Sequence, residues 1–114
     1  MDNCIFCKIV RGEIPSVIEF ENDSILVFHD LNAQAPMHLL IIPKIHISTI
    51  NDLQDIHKNI LGEMIFIAKE IAKDKKIADS GYRLVFNCND AGGQTVYHIH
   101  LHLLGGRMFK WPPG

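Results

Sequence analysis

Residues 97–104 read Tyr97-His98-Ile99-His100-Leu101-His102-Leu103-Leu104, three histidines alternating with apolar residues. Alternation with period two marks a half-buried strand. Successive side chains on a strand point to opposite faces. His98, His100 and His102 therefore share one face, and Tyr97, Ile99, Leu101 and Leu103 share the other. Histidine supplies 7 of 114 residues, so three at chosen alternate positions arise by chance roughly 0.03 times in such a chain. A row of imidazoles is costly to bury without partners. What it offers is chemistry near neutral pH, as base, acid, nucleophile or metal ligand.

Other residue types stand at suggestive spacings. Cys4-Ile5-Phe6-Cys7 is a Cys-x-x-Cys, read either as a metal-binding pair or as an apolar pair on one helical turn. A thioredoxin-like redox role is not expected, because no strand precedes the motif as a βαβ unit requires. Gly92-Gly93-Gln94-Thr95 runs directly into the histidine segment. Glycine lets backbone approach an anion, and free N–H groups bind phosphate oxygens, although a Gly-Gly pair between strands is by itself a turn. Asp30 ends the run Phe28-His29-Asp30, and a carboxylate accepts well from vicinal hydroxyls. Alone, Ile5, Phe6 and Phe28 read as core. His29 reads as structural, and His38 and His57 carry no assignment.

Bulk properties set bounds. A chain of 114 residues, taken as one domain over 1–114, can bury a real core. With 47% apolar and 21% charged residues it has an ordinary globular composition. A net charge of −2 leaves no electrostatic footprint for nucleic acid or an acidic membrane. Apolar stretches such as 39–43 are too short to span a bilayer. Met1-Asp2-Asn3-Cys4 lacks the basic and apolar regions of a signal peptide, which points to the cytoplasm. Three cysteines are an odd number, against a secreted disulfide framework. Cys88 reads as a buried thiol.

The elements that must position these residues follow from local pattern. Residues 4–10 make one or two helical turns. Residues 17–21 and 24–30 form a hairpin around Asn22-Asp23, 30–36 is a loop, and 37–43 is an apolar strand. Apolar residues at 56, 60, 61, 64, 65, 67, 68, 71 and 72 give helical spacing from Asp55 to about Ala78, capped by Asp55 or Asn51-Asp52 and ended by Ser80-Gly81. Residues 82–87 are a fourth strand, 89–94 a Gly-rich loop, and 96–104 the strand of the histidines. Strands with a long helix on one face give an α+β layer architecture. The apolar face of the last strand then lies under the helix, and the histidine face lines a cleft. Met64, Ile65 and Ile67 read equally as core or as an interface.

His98-Ile99-His100-Leu101-His102-Leu103-Leu104 resembles the His-φ-His-φ-His-φ-φ motif of the histidine-triad (HIT) superfamily. Ile14-Pro15, Phe28-His29-Asp30, Gln34-Ala35-Pro36, Ile42-Pro43-Lys44, His46-Ile47-Ser48, Gly81-Tyr82-Arg83, Gly92-Gly93-Gln94, Gly105-Gly106-Arg107 and Trp111-Pro112-Pro113-Gly114 are similar to its Hint branch, the purine nucleoside phosphoramidases. The resemblance implies a HIT-like α+β fold: a five-stranded antiparallel sheet, one long helix and a short N-terminal helix. It further implies a homodimer with one ten-stranded sheet, and hydrolysis of purine nucleoside 5′-phosphoramidates without an obligatory cofactor. It makes His100 the nucleophile, forming a nucleotidyl-histidine, with His98 and His102 in supporting catalytic roles and His46 orienting a triad imidazole. An unperturbed imidazole is largely neutral at pH 7 and so already nucleophilic. Adjacent cationic imidazoles repel, so the three are not all charged together.

The resemblance also implies nucleotide contacts from Phe6, Phe28, Asp30, Leu31, Asn87, Gly93, Gln94 and Thr95, besides His100 and His102. Many Hint-branch chains lack the Cys-x-x-Cys. Other members of the superfamily bind Zn²⁺ through such a pair, the outlying histidine and the first triad histidine, a set present here as Cys4, Cys7, His46 and His98. Three further readings compete. They are a dinucleoside polyphosphate hydrolase, a catalytic-zinc hydrolase with the triad as ligands, and a purine-nucleotide-binding protein without turnover.

Overall fold

The computed structural model describes residues 3–114. Met1 and Asp2, part of the stretch read as carrying no signal peptide, lie outside them. The elements are α1 (Ile5–Val10), β1 (Ile18–Glu21), β2 (Ile25–His29), β3 (Met37–Pro43), α2 (Lys58–Asp74), β4 (Tyr82–Phe86), α3 (Asn89–Gly92) and β5 (Leu101–Gly105). The strands form one antiparallel sheet in the order β1-β2-β3-β5-β4. The five-stranded α+β expectation holds.

Strands β2 and β3 are apolar at nearly every position because both sheet faces are covered there. Ile25, Val27, Leu39, Ile41, Leu101 and Leu103 pack under α2 against Met64, Ile67, Ala68, Ile71 and Ala72. Leu26, Phe28, Leu40 and Ile42 point the other way, onto Phe6 of α1. Met64 and Ile67 are therefore core, while Ile65 and its neighbour Phe66 stay 48% and 57% exposed. In the hairpin Asn22 Oδ1 accepts from the backbone N–H of Ser24 and Ile25, at 2.9 and 2.8 Å. This is the side-chain-closed turn that asparagine favours.

Several expected boundaries move. The histidine strand begins at Leu101, not Val96, because pairing with β3 and with β4 both end at Leu101. Beyond that point the Pro43 carbonyl is taken by the His98 ring at 2.7 Å, and the Ile99 N–H bonds the Ile47 carbonyl instead of a strand. Within β5 buried and half-buried residues alternate, whereas His98, Ile99 and His100 before it are all buried. The long helix spans Lys58–Asp74 behind a 3₁₀ turn at Asp55–His57, while Asn51-Asp52 belongs to a separate turn capped through Thr49. It stops well before Ser80-Gly81. Ile77 N–H bonds Ala72 C=O and Lys76 N–H bonds Lys73 C=O, with Lys76 at φ +63°. That is a Schellman stop built on lysine. The expected Gly-rich loop at 89–94 contains the short helix α3.

Candidate active site

The sheet face turned away from α2 carries a cavity of ≈ 540 Å³. Its floor is a row of cross-strand neighbours: Phe28 on β2 pairs Leu40 on β3, which pairs His102 on β5. One wall comes from α1, with Ile5, Phe6 and Ile9. Phe6 meets Phe28 edge-on at 5.3 Å and His100 at 5.1 Å between ring centroids. Asp30 and Leu31, where β2 runs into its loop, and Gly93 and Thr95, after α3, complete the rim.

The hydrogen bonds assign the imidazole tautomers in sequence. The Gln34 backbone N–H donates to His38 Nδ1 at 3.0 Å, so the His38 proton is on Nε2. That proton faces His102 Nδ1 at 2.9 Å, which places the proton of a neutral His102 on Nε2. His102 Nε2 is buried and has no protein partner among the described residues. His100 Nδ1 donates to the His98 backbone carbonyl at 2.8 Å, leaving its lone pair on Nε2. The His100 and His102 rings lie 4.9 Å apart. Of the two rings that line the cavity, His100 thus carries an unprotonated nitrogen and His102 an N–H donor without a protein partner.

Burial keeps these rings neutral. It pushes His102 down to about 4, helped by the neighbouring His100 and His38 and opposed by Asp30. Burial also lowers His100, against its bond to the His98 carbonyl and the Asp30 charge. His38 is lowered by burial against the pull of Asp30. The Asp30 carboxylate lies 3.4 Å from His38 Nε2 and accepts from the Asn32 N–H at 2.8 Å.

His98 turns out of this cavity. Its Nε2–H donates to Pro43 C=O, and its Nδ1 sits 3.5 Å from both Cys4 Sγ and Cys7 Sγ. His46 Nδ1 lies 3.3 Å from Cys7 Sγ, and its Nε2 meets Ser48 Oγ at 3.1 Å. The four ligand atoms fall within 4.8 Å of one another. Two sulfurs and two imidazole nitrogens suit Zn²⁺, whose bonds of roughly 2.0–2.3 Å place tetrahedral ligands about 3.3–3.8 Å apart. Each ring's remote nitrogen is held by an oxygen, the usual brace for a ligating histidine. Burial and the neighbouring Cys4 push the Cys7 thiol up, and burial lowers His46 and, to about 4, His98. The triad does not converge as a metal site. Among the described residues the groupings able to hold an ion are this one and Asp30/His38/His102, and neither contains His100.

Of the residues expected at the nucleotide, Phe6, Phe28, Asp30, Leu31, Gly93, Thr95, His100 and His102 border the cavity. Asn87 and Gln94 do not. The Gln94 side chain, 5% exposed, donates to the Ser48 and Val96 carbonyls and accepts from the Asn89 N–H, bracing the loop from behind. The N–H groups of Gly93 and Gln94 close the α3 turn on the Asp90 and Asn89 carbonyls. His38 is the residue that sequence reasoning left unassigned and the structure places at the centre. Position 38 pairs with Leu104, so it sits diagonal to His102. Its alternation with Leu40 on β3 was the available signal.

Residues 3–109 match the family described as "Scavenger mRNA decapping enzyme C-term binding". The chain is 53% identical over 106 residues to the purine nucleoside phosphoramidase of Escherichia coli K12, covering 93% of this chain and 89% of that one. It is 47% identical over 112 residues to a 14 kDa zinc-binding protein of Zea mays, covering 96% and 87%. A crystal structure of a HIT family hydrolase from Legionella pneumophila Philadelphia 1 superposes with a TM-score of 0.97 at 57% identity, covering 98% and 100%.

Proposed function

The chain belongs to the histidine-triad (HIT) family, and on that premise we propose that it hydrolyses the P–N bond of purine nucleoside 5′-phosphoramidates through a nucleotidyl-His100 intermediate. The observation that carries this reading is the pairing of a free His100 Nε2 lone pair with the unpartnered Nε2–H of His102 at one end of an apolar slot. The base lies between Phe6, Phe28 and Leu31, and Asp30 accepts from the ribose hydroxyls. His100 Nε2 attacks the α-phosphorus, the P–N bond to the amine breaks, and the departing nitrogen takes a proton from solvent to leave as the free amine. Water then cleaves the histidine–phosphorus bond, so one hard step becomes two. His102 Nε2–H meets the phosphoryl oxygen, where charge grows. His38 keeps that hydrogen on the cavity side by supplying its own to Nδ1.

Intact mass after rapid quench with adenosine 5′-phosphoramidate tests the reading. An AMP adduct is expected on wild type and none on His100→Ala, which still binds AMP. Normal turnover by that variant refutes the assignment. His102→Ala slows turnover less completely. A catalytic-zinc mechanism on the triad is disfavoured by the outward turn of His98. Simple nucleotide binding leaves the His38–His102 relay unexplained.

Cys4, Cys7, His46 and His98 would hold a structural Zn²⁺, whose contribution is a cross-link between α1 and the segment before β5, with no cofactor needed by the reaction itself. The homodimer is proposed through β4, an open sheet edge with every residue half-buried, together with exposed Ile65 and Phe66 on α2. Among the described residues no helix is long and apolar enough to cross a membrane. A cytoplasmic setting, without nucleic-acid or membrane partners, and one domain over 1–114 complete the proposal.

A further inference from the structure

The two thiols of α1 differ in access. Cys4 is half-buried and borders a second cavity, of ≈ 390 Å³. Cys7 does not border it and is 6% exposed. Both sulfurs lie 3.5 Å from one atom, His98 Nδ1, and the Cys7 backbone N–H meets Cys4 Sγ at 3.4 Å. His98 gives its Nε2–H to Pro43, so Nδ1 is an acceptor and both thiols face it. An approachable thiol with a second thiol close behind it is the arrangement of a peroxide-reactive pair. We propose that Cys4 and Cys7 form a reversible oxidation site for hydroperoxides, with Cys4 attacking and Cys7 resolving, and that its oxidation loosens one wall of the nucleotide cavity.

With hydrogen peroxide the chemistry balances in two steps. Cys4 Sγ attacks one peroxide oxygen. The S–O bond forms, the O–O bond breaks, and the thiol proton leaves with the second oxygen as water. Cys7 Sγ then attacks the Cys4 sulfenic acid. The S–S bond forms, the S–O bond breaks, and the Cys7 proton leaves with the hydroxyl as a second water. Two thiols are oxidised and one peroxide is reduced. The ring so closed spans only residues 4–7, so the linked sulfurs no longer tie α1 to His46 and His98. Phe6 stands between the two cysteines in sequence and meets His98, His100 and Phe28 edge-on, at 5.9, 5.1 and 5.3 Å. Release of that tether therefore acts on the aromatic wall of the base slot. The disulfide needs the two thiols alone. Its competition with Zn²⁺ rests on the metal set proposed above, because sulfurs joined to each other no longer ligate as thiolates.

Hydrogen peroxide added to the zinc-free protein tests this, read by intact mass and peptide mapping. Wild type should become lighter by two hydrogens, with Cys4 linked to Cys7 and Cys88 free, and dithiothreitol should reverse the change. Cys7→Ser should halt at a Cys4 sulfenic acid that dimedone captures, and Cys4→Ser should resist oxidation at Cys7. The linked wild type should bind AMP up to about tenfold more weakly than the reduced protein, the worth of one aromatic contact. Oxygen added to sulfur without an S–S link, a link through Cys88, or equal AMP affinity in the linked and reduced proteins would overturn the proposal. Native mass of the reduced protein with added zinc tests the metal set separately. Absence of bound zinc there removes that reading, while the disulfide and its effect on AMP still decide this one.

Discussion

His102 holds its proton on Nε2, the nitrogen without a protein partner, because its Nδ1 accepts from His38. The consequence is a pH signature. Its folded pKa is about 4, below the ordinary value near 6.5, so between these pH values the unfolded chain binds more protons. Stability should fall as pH drops from 6.5 towards 4, and His102→Gln should flatten that fall in thermal melts. Activity should hold through pH 6.5, since buried His100 stays neutral there, and decline only in more acidic buffer. His38→Ala should lower kcat on the order of 10²-fold with a smaller change in KM, because it frees the His102 proton to change nitrogen while Phe6, Phe28 and Leu31 of the base slot stay in place. The triad was legible from sequence because three like residues at period two leave little else to infer. His38 was not, because one histidine inside an apolar strand points to no particular role. The bond that gives it meaning joins positions 64 residues apart.

At the level of elements, α1 carries two functions on one short helix. Cys4 and Cys7 face the histidine pair, while Ile5, Phe6 and Ile9 face the nucleotide cavity. The double substitution Cys4→Ser/Cys7→Ser should abolish tight zinc in native mass spectra, lower the melting temperature and weaken AMP binding, because the wall loses its tether. Gly106 is a second hinge between pattern and geometry. At φ +91° an added Cβ would sit 2.9 Å from Pro36 Cβ, so Gly106→Ala should destabilise by about 1–3 kcal/mol in urea titration. Strand β3 was readable to the residue because its run is apolar and closed by proline. The end of α2 was not, since its left-handed stop falls on Lys76, where no glycine announces it. The start of β5 was hidden for a different reason: the His98 side chain takes the carbonyl that a neighbouring strand would have used.

At the scale of the molecule, the open β4 edge and the exposed Ile65 and Phe66 leave the sheet able to continue into a second copy. Phe66→Glu should move the sedimentation coefficient from dimer to monomer while circular dichroism stays unchanged, and a wild-type monomer would contradict the pairing. The architecture also has a property of its own. Along β2 and β3 adjacent residues belong to opposite layers, with Ile41 beneath α2 and Leu40 in the cavity floor. Pressure applied to one layer cannot stop at the backbone, because both layers hang from the same peptide units. Occupation of the purine slot should accordingly be felt on the remote side, as slower deuterium uptake by amides of the long helix that never approach the guest.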